Sequence, residues 1–263
     1  MQPLPPLPVT RFGEGGQSLV YEHPTNRDLL IKLFTDKDKN RAPRTEAAAA
    51  HIESLNDFQN GISYSHRQLL STNFSWPIET YGNRPGVIDA IGILRAPEDF
   101  WINITMQSGK VNHLFLQVGY LTTDYLSRAA IKSAPFTDVS FQDRVEVALE
   151  FLYSFQVLWD LGYRFCDFKE QNFSFTLNGR PRVFIIDAES ISPPDMSTIR
   201  TPGWFAPDQL GLSMESDRSL ACLLVWRILG RDPGIVPPSQ GNHVANFKPL
   251  DQRTLDLLED GYR

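Results

Sequence analysis

Apolar and polar positions alternate over the first third of the chain, then recur at helical spacing over most of the remainder. Two short apolar runs, Ser18 to Tyr21 and Leu29 to Leu33, flank the turn-rich segment His23 to Asp28, a pattern that predicts a β-hairpin. A helix is predicted over Arg44–Asn56, opening after Pro43 and carrying a run of alanines. Glu79 to Gly82 and Val87 to Leu94 read as a strand pair joined by Asn83-Arg84-Pro85-Gly86. The first ninety-odd residues thus read as a small, mostly β unit with one helix. Further on, Ser140 stands three residues before Asp143, a start resembling a capping box. Val145, Ala148, Leu149, Leu152, Phe155 and Leu158 follow at helical spacing up to Gly162. Ser216 to Leu229 is apolar almost all round, as in a helix buried at the centre of a domain. Glu98 to Thr137 carries no pattern that assigns an element. The proline-rich start, Met1 to Val9, favours an extended arm and reads as a flexible lead-in, with a packing strap as the alternative.

Composition narrows the function classes. The chain of 263 residues is 41% hydrophobic and 21% charged, which fits a globular protein with a substantial core. A formal net charge of −6 argues against a nucleic-acid binder, which carries a basic stripe. Cys166 and Cys222, the two cysteines, form no CxxC pair, and a reducing cytoplasm is the simplest setting. His23, His51, His66, His113 and His243 show no metal-ligand spacing, so zinc is not expected. The start lacks the basic and apolar regions of a signal peptide. Leu220 to Leu229, interrupted by Arg227, is too short to span a membrane.

Four segments carry candidate chemistry. In Gly13-Glu14-Gly15-Gly16-Gln17-Ser18-Leu19-Val20, glycines between strands let backbone N–H groups approach phosphate oxygens. Lys32 ends the apolar run Leu30-Ile31, an odd place for a charge unless it meets an anion. Glu46 or Glu53 of the predicted helix could supply the carboxylate. In Asp167-Phe168-Lys169-Glu170-Gln171-Asn172, the spacing D-x-K-x-x-N sets a base, a cation and a metal-coordinating amide within one loop. Finally, Val183-Phe184-Ile185-Ile186 delivers Asp187, a carboxylate leaving a buried strand, where a cation is the usual counterpart.

This ordered set resembles the protein-kinase signature of glycine-rich loop, strand lysine, catalytic loop and metal aspartate. Two further segments agree. Thr201 to Asp208, with Ala206-Pro207-Asp208, is similar to the end of an activation segment. Ser216-Asp217-Arg218 is similar to the start of the helix whose aspartate braces the catalytic loop. The resemblance spans roughly Arg11 to Gly230. It implies a two-lobed α+β fold: a β-rich N-lobe over 10–97 with one helix, and a larger helical C-lobe over 98–263. The style of variation leans toward the divergent bacterial eukaryotic-like Ser/Thr kinases. The implied activity is transfer of the γ-phosphoryl group of Mg-ATP (or Mn-ATP) to hydroxyls of a protein substrate, with no nucleic-acid or membrane partner. The resemblance assigns Asp167 as base and Lys169 to the γ-phosphate, with Asn172 and Asp187 on the metal. By the same resemblance, Gly13, Gly15, Gly16 and Val20 are expected to line the nucleotide. Lys32, paired with Glu46 (or Glu53), is expected to meet the α/β-phosphates, and the segment around Leu94, Ala96 and Pro97 to meet the adenine.

The departures are specific. Phe165-Cys166-Asp167 stands where the family has H-R-D, which removes the usual receptor for an activation-segment phosphate. Asp187-Ala188-Glu189 replaces D-F-G and adds a second carboxylate near the metal position. Ser18 replaces the third glycine, and the chain stops soon after Leu255-Asp256-Leu257-Leu258. Two other readings follow: a pseudokinase scaffold that binds nucleotide, and a small-molecule phosphotransferase of the aminoglycoside or choline kinase kind, whose I-D-x-E resembles Ile186-Asp187-Ala188-Glu189.

Overall fold

The computed structural model of the chain describes residues 2–36, 38–44, 46–122, 130–135, 138–193 and 214–231. It divides into two compact units. One is Met1–Ala96 with Ile186–Glu189, and the other is Pro97–Ile185 with Ser190–Arg263.

The first unit is built on an antiparallel sheet of five strands. These are β1 (Gly13–Gly15), β2 (Ser18–Glu22), β3 (Leu29–Phe34), β4 (Pro77–Tyr81) and β5 (Ala90–Leu94), in the order β1-β2-β3-β5-β4. The hairpin expected from the two apolar runs is β2–β3, in which Val20 lies opposite Lys32. All six residues of β3 are buried, so the sheet is covered on both faces. On one face Leu30, Phe34, Ile91 and Ile93 pack with Ala49 and Ile52 of helix α1 (Glu46–Gly61). On the other, Ile31, Leu33, Tyr81 and Ala90 receive Leu4 and Leu7 from the proline-rich start. Gln2 pairs with β4 there, donating its N–H to Thr80 and accepting from the N–H of Gly82, both at 2.9 Å. The lead-in is therefore a packing strap. Its prolines hold it extended, and its two leucines, three residues apart, cover an apolar face that would otherwise meet water.

Helix α1 begins two residues later than expected and runs further. Arg44 is held extended by a bridge to Ile88, with N–H···O contacts of 2.8 and 3.2 Å in the two directions, and cannot join a helix. A second helix, α2 (Tyr64–Asn73), corrects the expectation of a single helix in this region. Its Tyr-Ser-His-Arg-Gln-Leu-Leu-Ser-Thr-Asn sequence has no apolar stripe, and only Leu70 is fully buried. Its sequence signal was Ser63, whose hydroxyl caps the N–H of His66 at 3.3 Å.

In the second unit the unassigned stretch forms a sheet: β6 (Trp101–Met106) between β7 (Val111–Phe115) and β8 (Ile131–Ser133). Ile102 and Ile104 point inward while Asn103 is exposed, a short alternation. After the one-turn helix α3 (Gly119–Thr122) comes α4 (Phe141–Asp160), capped by Ser140, whose hydroxyl accepts the Asp143 N–H at 3.1 Å. Its buried stripe is Val147, Ala148, Phe151, Phe155 and Leu158, while Leu149 is exposed. The apolar face is thus turned about one position from the series read in the sequence, because Phe151 and Phe155 claim the core. The hairpin β9 (Phe173–Thr176) and β10 (Arg182–Ile185) follows, then α5 (Met214–Gly230), buried nearly all round from Asp217 to Leu229. The segments Thr201 to Asp208 and Leu255 to Leu258 lie outside the described residues.

Candidate active site

The loop Phe165 to Asn172 is shaped by where its aromatics go. Phe165, Phe168 and Phe173 are buried beneath it. Phe168 lies 5.1 Å from Phe155 and 5.6 Å from Phe165, centroid to centroid, and Phe173 meets Phe155 edge-on at 5.8 Å. With the rings fixed in the core, the polar residues between them share the opposite side. Lys169 Nζ donates to Asp167 Oδ2 at 2.7 Å. Asn172 Nδ2 donates to the same oxygen at 3.0 Å and to the Asp167 carbonyl at 2.9 Å. The spacing D-x-K-x-x-N therefore does bring its three polar groups together. Since the Asn172 amide nitrogen is committed to Asp167, its carbonyl oxygen is the group left to face a cation.

Helix α5 holds both ends of this loop. Asp217, itself buried, accepts from the indole of Trp159 at 2.9 Å and from the backbone N–H groups of Phe165 (3.2 Å) and Cys166 (3.3 Å). These bonds support Cys166 at φ +71°, a left-handed conformation that a cysteine adopts only when its surroundings impose it. At the other end Arg227 meets Glu170 at 3.4 Å. Cys166 itself is a small buried residue whose Sγ lies 3.2 Å from Ser192 Oγ.

In the first unit, Lys32 is 7% exposed and stands at the middle of β3. Its ammonium donates to Asp187 Oδ1 at 2.6 Å and to Glu189 Oε1. Burial alone would lower the lysine pKa, but the charges of Glu189 and Asp187 outweigh it and hold the group above its ordinary value. Asp187 occupies φ +60°, another left-handed non-glycine residue, and Ala188 beside it is fully buried. The sequence expectation of Glu46, or Glu53, as the lysine's partner is corrected here. Glu46 opens α1 beside the β4–β5 turn, where a Cβ at Gly86 would lie 3.5 Å from its Cγ. Glu53 sits next to the buried stripe Ala49, Ile52, Leu55 and faces water. The helix contributes His51 instead, whose Nε2 donates to the Glu189 carbonyl at 3.1 Å.

The glycine-rich segment forms β1, its turn and the start of β2. Gly13 lies opposite Val20 and Gly15 opposite Ser18. A side chain at Gly15 would meet Ser18 Oγ at 2.9 Å and displace that hydroxyl, whereas Gly16 has open space around it. Sequence reading missed Lys39, which donates to the carbonyls of Gly15 and, at 3.2 Å, Gly16. At the end of β5, the Leu94 N–H donates to Trp76 O at 3.1 Å and the Leu94 carbonyl accepts from Ser75 Oγ at 2.7 Å. The main chain of Leu94 is thus engaged, and Ala96, 7% exposed, closes the first unit.

The Asp187 carboxylate is of the kind that suits a hard divalent cation, and beside it Glu189, paired through Oε1 with Lys32, keeps Oε2 buried with no hydrogen-bond partner. No cluster of three or more His, Cys, Asp or Glu side chains occurs among the described residues.

Neither a protein-family model nor a curated protein sequence matches the chain. Among solved structures, the chain is similar to the ROP18 kinase domain in complex with AMP-PNP and sucrose. The TM-score is 0.63 at 16% identity, covering 96% of this chain and 72% of that one. At that identity the likeness establishes the fold, and the fold is kinase-like: a sheet-rich N-terminal part followed by a largely helical one. No helix among the described residues is long and apolar enough to cross a membrane.

Proposed function

We propose that this chain binds Mg-ATP and transfers its γ-phosphoryl group to serine or threonine hydroxyls of a protein. One observation carries the reading: Lys169 and Asn172 converge on a single carboxylate oxygen of Asp167, over a loop fixed from below by three buried phenylalanines. Asp167 accepts the proton of the attacking hydroxyl and orients it. Lys169, already beside that carboxylate, neutralises charge that develops on the moving phosphoryl group. Lys32 serves the α/β-phosphates. Asn172 and Asp187 are each assigned to the cation, which would supply charge neutralisation at the phosphates. Little covalent chemistry is asked of the protein, so its contribution is position and electrostatics. The similar solved domain holds AMP-PNP, which is consistent with a nucleotide here. A cytoplasmic setting fits the two buried cysteines, Cys166 and Cys222.

A second reading has its own support. Glu189 contacts Lys32, and an acid at that place is what I-D-x-E of the small-molecule phosphotransferases resembles. Incubation with γ-labelled ATP and magnesium separates the readings. Label on a generic basic protein or on the chain itself supports the protein kinase, label on an aminoglycoside or choline supports the second reading, and binding without transfer supports a scaffold. The metal arm is tested by melting. ATP should raise the midpoint only with Mg²⁺ or Mn²⁺ present, by linkage. An equal rise with ATP and chelator would remove Asp187 from the metal site.

A further inference from the structure

We infer that Glu189 is the positioning residue for Lys32, taking the part that a carboxylate on helix α1 was expected to play; the inference rests on the phosphotransfer reading above. Lys32 is buried at the centre of the sheet, and a buried ammonium must be compensated where it stands. The helix packed on that face cannot do this. Glu46 lies over Gly86, and Glu53 and Asp57 are exposed. The carboxylates that reach the ammonium are Asp187 and Glu189, both carried by the segment after β10.

These two acids divide the work. Asp187 is the one proposed for the cation, and a lysine with no other partner would compete with the cation for it. Glu189 removes the conflict, because it keeps the ammonium paired while Asp187 turns to the metal. The local backbone is built for that arrangement. The left-handed turn at Asp187 and the buried methyl of Ala188 send both neighbouring carboxylates toward Lys32. His51 pins the carbonyl of Glu189, so the helix holds the backbone that carries the acid instead of supplying the acid itself. The lysine is therefore set by the metal-binding segment and does not depend on a helix carboxylate.

The test is a double-mutant cycle on the full chain, with Mg-AMP-PNP affinity measured by calorimetry. Glu189→Gln should weaken binding about tenfold, within the range for residues of one ion-pair network. In a Lys32→Met background the same change should have no further effect, because its route is gone. A merely structural role would weaken binding equally in both backgrounds. Glu46→Gln and Glu53→Gln should bind as the wild type does, and Glu189→Asp should recover part of the loss. Should Glu189→Gln fail to fold, the cycle is run with Glu189→Asp, and its loss should likewise vanish on the Lys32→Met background. Equal losses in both backgrounds, or a loss on changing Glu46 or Glu53 instead, would overturn the assignment and leave the phosphotransfer reading intact. A wild-type chain that binds no nucleotide would overturn both.

Discussion

Asp167→Asn should lower phosphoryl transfer by roughly 10²-fold or more, the scale for loss of a positioned general base. The substitution keeps the size of the side chain but removes the charge that Lys169 and Asn172 now share at 2.7 and 3.0 Å. It also removes the acceptor for the substrate proton. Two features argue that the loop survives. Asn172 still donates to the Asp167 carbonyl at 2.9 Å, and Phe165, Phe168 and Phe173 keep their places in the core. The variant should therefore melt within a few degrees of the wild type and bind nucleotide within a few-fold, since Asp167 is not assigned to the nucleotide. Initial rates with γ-labelled ATP, taken with a melting curve, check both halves. Unchanged transfer would remove Asp167 from the base role. Binding without transfer in both proteins would favour the scaffold.

Much of the loop was legible in the sequence because its chemistry is local. Asp167, Lys169 and Asn172 are within six residues of one another, and the phenylalanines that lift them are interleaved in the same stretch. The partner of Lys32 was not legible, because it is a long-range choice among acids. The sequence offered Glu46 and Glu53 as candidates, and what set both aside was the register of α1. That register follows from the Arg44–Ile88 bridge, which delays the helix start and leaves Glu46 beside Gly86. Helix α2 escaped notice for a different reason: with Leu70 as its one fully buried residue, it has no stripe to count. The sheet β7-β6-β8 had alternation at Ile102 and Ile104, but over too few residues to outweigh the mixed pattern around it. The strap depended on a partner surface. Leu4 and Leu7 look idle until the outer face of β3 is seen to be apolar.

Asp217→Ala should destabilise the protein by about 3 kcal/mol, since it strands several buried donors together. The indole N–H of Trp159 and the main-chain N–H groups of Phe165 and Cys166 all end on this carboxylate, at 2.9, 3.2 and 3.3 Å. Arg164 is buried nearby with Nε and Nη2 lacking hydrogen-bond partners, so it too would lose its compensating charge. Urea unfolding should show a lower midpoint with the slope unchanged. The effect should extend to activity, because Cys166 at φ +71° is held by one of those bonds and Asp167 is the next residue. The pH dependence gives an independent check. Burial pushes the Asp217 pKa up, against the pull of the Trp159, Phe165 and Cys166 donors and of Arg164. A carboxyl whose pKa is higher in the folded state binds more protons there, so its contribution to stability declines as pH rises from its unfolded to its folded pKa. Asp217→Asn cannot titrate and lacks that decline, so its stability deficit relative to the wild type should narrow as the pH is raised through that window. A deficit that stays constant across the window, with no loss of transfer, would mean that Asp217 does not brace the loop.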